Sequence, residues 1–266
     1  MNELQFHNGL YVTKERPISF LAKFMPSFHF WVRLVGVVMR SGSLARKGKY
    51  DEAAWQSSSR EIYNFVEDVG GRIQISGIEN LENLDGPCVI VANHMSFLET
   101  VLLPGMVLRS HEMTFVIKES LLRYPIFKDV IQVCSPIAVT RTNPRQDLKK
   151  VLNEGTRRLK EGVSVAVFPQ STRSHIFNPE QMSSIGVKLA KKADVPIIPL
   201  ALKTDALKNG TIIKDIGRFD TSIPVHFSFG KPFRVEGKGN EEQKRVTDYI
   251  SESIAEWTRE LEVAVK

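Results

Sequence analysis

The chain is predicted to fold as a single α/β domain with a mixed, largely parallel sheet flanked by helices, preceded by an N-terminal helical pair. Three observations lead there. From residue 72 onward, short apolar runs bounded by turn residues alternate with stretches of helical periodicity, the order expected of an α/β sheet. Two helix-like stretches come before the first of those runs. The 266 residues, 42% hydrophobic and 25% charged, are enough for an ample core and carry no internal repeat, low-complexity tract or interdomain linker.

Taken in order, residues 18–39 are rich in apolar side chains but broken by Lys23, Pro26, His29 and Arg33, whereas a spanning helix wants roughly 20 mostly uninterrupted apolar residues. Pro26 breaks or starts a helix. Beyond it His29, Arg33, Gly36 and Arg40 share one narrow stripe on an otherwise greasy surface. That pattern suits an in-plane membrane anchor, and it also suits a helix packed on the protein's own core. A second helix is expected over 51–68, with Trp55, Ile62, Phe65 and Val66 inward and Gly70-Gly71 closing it. Residues 1–70 thus read as a membrane-associating helical region and 71–266 as the α/β domain.

Strands follow at 72–75, 87–92, 113–118 and 136–140, with a helix near 98–108. Asn143-Pro144, a cap and a first-turn proline, opens an amphipathic helix whose Leu148, Val151, Leu152 and Leu159 share a face. Then come a strand at 163–168, a helix at 181–193, strands at 195–202 and 224–229, and a last helix over 241–261 facing inward through Val246, Tyr249, Ile250, Ile254, Trp257 and Leu261. Proline is poorly tolerated in a central ladder, so Pro196 and Pro199 point to an edge strand or the wall of an apolar groove.

Composition narrows function only slightly. The excess of 36 Lys+Arg over 30 Asp+Glu, a formal +6, suits a phosphate ester or a membrane surface but decides little alone. Cys88 and Cys134 lie in apolar runs and read as small buried hydrophobes in a reducing compartment. No Cys/His cluster has zinc-ligand spacing, no glycine-rich nucleotide loop occurs, and the N-terminus lacks the basic and apolar regions of a signal peptide.

The chemistry concentrates in three segments. Asn93-His94-Met95-Ser96-Phe97-Leu98-Glu99 follows an apolar run, so a buried strand ends in a histidine with a carboxylate five positions on. A neutral His can take a hydroxyl proton when a carboxylate bonds its other ring nitrogen. The competing reading is a capping His and a surface Glu at a helix start, where acids are favoured anyway. The second segment, Phe168-Pro169-Gln170-Ser171-Thr172-Arg173-Ser174, offers an amide, hydroxyls and a guanidinium able to grip a phosphate. The third is the proline-marked strand at 195–201. A serine-hydrolase reading fails, because Gly162-Val163-Ser164-Val165-Ala166 lacks the second glycine of the nucleophile elbow and places Ser164 within a strand.

In this order the segments resemble the glycerol-phosphate and lysophospholipid acyltransferase family over roughly residues 72–235. The family's blocks read Asn-His-x-Ser-x-x-Asp, a Lys followed by an Arg-containing strand end, Phe-Pro-Glu-Gly-Thr-Arg-Ser, and Val-Pro-Ile-x-Pro. Here they are residues 93–99; Val116-Ile117-Lys118-Glu119 with Pro125 and Val139-Thr140-Arg141; 168–174; and 195–199. The resemblance implies His94 and Glu99 as the catalytic pair. It assigns Asn93, Ser96, Lys118, Arg141, Gln170, Ser171, Thr172 and Arg173 to substrate binding, with the three cations forming a phosphate pocket lined by Ser171 and Thr172. It implies direct attack of the free hydroxyl of 1-acyl-glycerol-3-phosphate on acyl-CoA or acyl-carrier protein, giving phosphatidate, with neither a covalent acyl-enzyme nor a metal or other cofactor. The partners implied are a lysophospholipid acceptor, an acyl thioester donor and a membrane surface, without nucleic acid; the place is the cytoplasmic face of the cell membrane, peripheral or monotopic. Three departures stand out: Glu99 replaces Asp but keeps the carboxylate and so the chemistry, Gln170-Ser171 replaces Glu-Gly, and Ile185 precedes Gly186 where the family often has Lys, which puts the acceptor rather than the reaction in question. Two alternatives follow: the same chemistry on another lysophospholipid or a lyso-aminolipid, or a non-catalytic lipid-binding relative.

Overall fold

A computed structural model describes residues 4–124, 127–170, 172–210 and 216–264. The elements run β1 (Tyr11–Val12), α1 (Phe20–Phe24), α2 (Pro26–Arg46), α3 (Glu52–Asp68), β2 (Ile73–Ser76), α4 (Glu79–Glu82), β3 (Val89–Ala92), α5 (Leu98–Val107), β4 (Met113–Lys118), α6 (Lys128–Ile131), β5 (Ile137–Val139), α7 (Pro144–Lys160), β6 (Ser164–Val167), α8 (Ile185–Ala193), β7 (Ile197–Lys203), β8 (Val225–Phe229) and α9 (Asn240–Ala264). Helix starts follow local chemistry. The Asp51 carboxylate caps α3 through Ala54 N (2.9 Å), and Asn143 caps α7 through Gln146 N (3.1 Å). Pro26 and Pro144 occupy first turns, where a missing N–H costs nothing.

Among the described residues the sheet has eight strands in the order β1-β2-β8-β7-β3-β6-β4-β5. Neighbours are parallel except β1 with β2 and β7 with β8. Alternation along β3 sorts its side chains between two cores. Ile90 and Ala92 meet α2, α3 and α5 through residues such as Phe30, Leu34, Phe65 and Leu102. Val89 and Val91 meet α7, α8 and α9 through Val151, Leu189, Val246 and Ile250. Each fully buried aliphatic side chain contributes roughly 1.5–3 kcal/mol, so helices on both faces hold the sheet rigid beneath its carboxyl-terminal edge.

Four expectations change. First, β7 is interior, between β3 and β8, not at an edge. Its neighbour detours there: Ile197 bridges Phe233 while Leu200 pairs with Phe229. The Pro199 carbonyl accepts from Gly230 N (2.8 Å), so the proline's missing N–H points at the bulge rather than at a ladder acceptor. Second, the helix expected from 181 divides into a single turn, Pro179–Gln181, and α8 from Ile185, because extended backbone at Met182 sends that side chain into the core. Third, strand β1 was not anticipated; its two residues pair with Gln74 and Ile75 of β2. Fourth, the basic stripe of α2 faces α3. Arg33 pairs with Asp68 and lies 4.1 Å over the Phe65 ring, and Arg40 pairs with Glu61. The exposed side of α1 and α2 is instead apolar: Phe20, Phe24, Phe28, Val32, Val35 and Met39.

Candidate active site

Three strand ends converge on one imidazole. Where β3 stops, Asn93 turns inward and locks to β7: its amide donates to Leu202 O (2.8 Å) and accepts from Leu202 N (2.8 Å). The next residue, His94, is 14% exposed, and its Nδ1 lies 2.8 Å from Glu99 Oε1. Glu99, in the first turn of α5, is fully buried. Its carboxylate also accepts from the N–H groups of Met95 (2.7 Å) and Ser96 (2.9 Å), the Ser96 hydroxyl (2.9 Å) and the Thr204 hydroxyl just past β7.

Burial alone would push the Glu99 carboxyl up, but the hydrogen bond and charge of His94, then the Thr204 hydrogen bond, hold it below the ordinary carboxylate range. The charged carboxylate only accepts, so Nδ1 carries the hydrogen and Nε2 is left as a base. The ring is stacked on Phe168 (4.6 Å between centroids, 23°), which continues to Phe115 at 6.1 Å.

Gln170, buried behind this turn, accepts the His94 backbone N–H through Oε1 at 2.5 Å. An amide oxygen serves that bond as a carboxylate oxygen would, so the Glu-to-Gln departure falls behind the imidazole and not in the cationic wall. Asn93, Ser96 and Gln170, expected at the substrate, are thus turned away from the cavity into internal hydrogen bonds. Ser171, and Pro125 of the second block, lie outside the described residues.

His94 opens into a cavity of about 660 Å³. The end of β4 and the loops after β5 and β6 give one wall, with Lys118, Arg141, Thr172 and Arg173; all four expectations fall there. The wall from α2, α3 and α6 is apolar, with Val37, Val38, Trp55, Ile62, Val130 and Ile131. Burial and then the neighbouring charge of Arg173 hold the Arg141 pKa below its ordinary value. Sequence reasoning missed Thr204, which reaches Glu99 across 105 positions, and this apolar wall. Neither has a local signal.

A histidine oriented by a buried carboxylate, in a cavity with cationic and apolar walls, is an arrangement suited to acyl transfer onto a hydroxyl. Comparisons with known proteins give the class. The acyltransferase family model matches residues 72–203. The chain is 30% identical over 191 residues, 70% of each chain, to the 1-acyl-sn-glycerol-3-phosphate acyltransferase of Pseudomonas aeruginosa. It is 26% identical over 187 residues to the protein of the same name from Borreliella burgdorferi, covering 70% of this chain and 71% of that one. The crystal structure of the 1-acyl-sn-glycerophosphate acyltransferase PlsC from Thermotoga maritima shares the fold, with a TM-score of 0.67 at 21% identity over 90% of this chain and 97% of that one. The chain belongs to the acyltransferase family, and its reaction is acyl transfer.

Proposed function

We propose that this acyltransferase esterifies the free hydroxyl of 1-acyl-glycerol-3-phosphate with a fatty acyl group from acyl-CoA or acyl-carrier protein, giving phosphatidate at the cytoplasmic face of a membrane. His94 Nε2 takes the hydroxyl proton as the oxygen attacks the thioester carbonyl. The new C–O bond forms, the C–S bond breaks as the tetrahedral adduct collapses, and the proton passes from Nε2 to the departing thiolate. Glu99 stays ionised, fixes the tautomer and stabilises the imidazolium. Lys118, Arg141 and Arg173 hold the acceptor's phosphate beside Thr172, and the apolar wall takes an acyl chain. Asn93, Ser96 and Gln170 act by positioning the His94 turn.

One observation carries the reading: the dyad's imidazole and the guanidinium groups share a single cavity. The Gln170 bond to His94 N keeps that substitution out of the cationic wall, so it gives no ground for a different headgroup. Membrane contact is supported by the exposed apolar face of α1 and α2; among the described residues no helix is long and apolar enough to cross a membrane. The test is an acceptor panel with a labelled acyl thioester. Lysophosphatidate should be used best, and His94→Ala should lose on the order of 10²–10⁴-fold in turnover while keeping its fold. Faster use of a zwitterionic lysophospholipid or a lyso-aminolipid would overturn the acceptor; thioester binding with no acceptor consumed would overturn catalysis.

A further inference from the structure

In the cationic wall, the backbone under Arg141 is held by a side chain that does not line the cavity. Arg141 has φ +63°, the left-handed region that a residue with a Cβ enters only at a steric cost. The turn around it is fastened to the Asp147 carboxylate, which accepts from Thr140 N (2.9 Å), Arg141 N (2.7 Å) and the Thr140 hydroxyl (3.1 Å). Thr140 Oγ1 in turn accepts from Thr142 N (3.2 Å) and from the Thr142 hydroxyl (3.0 Å). Thr140, Arg141 and Thr142 all line the cavity, and Asp147 does not. The sequence brings this about by starting α7 at Pro144, directly after the turn, so that its first turn carries Asp147 back beneath residues 140 and 141. The helix cap belongs to Asn143, which leaves the Asp147 carboxylate to the turn. Arg173 is a like-charged neighbour of Arg141, and a negative φ at residue 141 would send the Arg141 side chain off in another direction.

We propose that Asp147 is a positioning residue for acceptor binding: it holds Arg141 in the left-handed conformation and keeps its guanidinium in the cavity wall beside Arg173. It sets the grip on the acceptor's phosphate and leaves acyl transfer at His94 alone. The proposal rests on the reading of Arg141 and Arg173 as a phosphate cradle.

The test measures kcat and KM for lysophosphatidate at saturating acyl thioester in the full chain for Asp147→Ala, Arg141→Ala and the double variant. Asp147→Ala should raise KM about tenfold or more with kcat within about threefold. In the Arg141→Ala background the same change should add less than about twofold, because the group it positions is gone. Asp147→Asn, which keeps one accepting oxygen, should fall between and carries the same test if the alanine variant does not fold. An unchanged KM in both Asp147 variants while Arg141→Ala raises it overturns the proposal, as does an equal rise with and without Arg141. If Arg141→Ala itself leaves KM unmoved, the cradle reading fails, and this inference with it.

Discussion

At the residue scale, the Glu99 carboxylate is charged although no water reaches it, because His94, two backbone N–H groups and two hydroxyls surround it. Glu99→Gln separates charge from geometry. The N–H groups of Met95 and Ser96 hold an oxygen in place at Oε1, so a glutamine still accepts from His94 Nδ1 and the tautomer survives. Only the stabilisation of the imidazolium is lost, and kcat should fall on the order of 10²-fold with little change in KM. Steady-state kinetics beside a melting curve check this; wild-type kcat in Glu99→Gln would show that the carboxylate's charge is irrelevant to the reaction. The dyad was legible because it is local, five positions apart across a strand-to-helix turn. Thr204 was not, since it reaches Glu99 across 105 positions, and Asp147 was not, since in the first turn of α7 it reads as one of the acids that any helix start favours. For Asn93, Ser96 and Gln170 the residue types were readable, but which way each side chain turns depends on neighbours from other strands.

At the element scale, most helices and strands could be read within a residue or two, since caps, prolines and apolar periodicity are local signals. What could not be read was pairing, such as β7 in the sheet interior, where a bulge in its neighbour accommodates Pro199. Pairing also makes a buried polar contact between β7 and β8. His226 lies opposite Lys203 in the register, is stacked on Trp257 (4.8 Å between centroids), and its Nδ1 has no hydrogen-bond partner among the described residues. Burial and then the Lys203 charge press the His226 pKa down to about 4. The unfolded chain takes up this proton below about 6.5 and the native state does not until about 4. The contribution is therefore fully present above pH 6.5 and shrinks as pH falls toward 4, by about 3 kcal/mol at roughly 1.4 kcal/mol per unit. His226→Phe keeps a ring against Trp257 and removes the proton. Urea unfolding at about pH 7 and pH 4.5 should show the variant losing clearly less stability than wild type; parallel losses would mean that the native ring is protonated with the solvent.

At the scale of the whole molecule, one helix joins the outside surface to the chemistry. The inner face of α2 is fixed by Trp31 Nε1 donating to Gly217 O (2.8 Å) and by Phe30 against Phe219, and its Val37 and Val38 line the cavity. On the other side, Phe28 and Met39 (67% exposed) of α2, with Phe20 (79% exposed) and Phe24 of the adjoining α1, present apolar side chains to solvent. A lipid leaving a bilayer that rests on this face would reach the cavity past an apolar helix instead of through water. Transfer of one phenylalanine from water into an apolar phase is worth roughly 1.5–3 kcal/mol, so Phe24→Glu with Phe28→Glu should weaken vesicle binding by well over about tenfold. Neither side chain supports the core, so the melting temperature should hold and turnover of a short-chain, water-dispersed acceptor should stay within about twofold. The net charge of +6 adds attraction for anionic lipid that salt screens, whereas the apolar part persists at high salt. Sedimentation with anionic and neutral vesicles at low and high ionic strength separates the two. Binding by the double variant equal to wild type at high salt would remove α1 and α2 from the interface and require another route for the lipid.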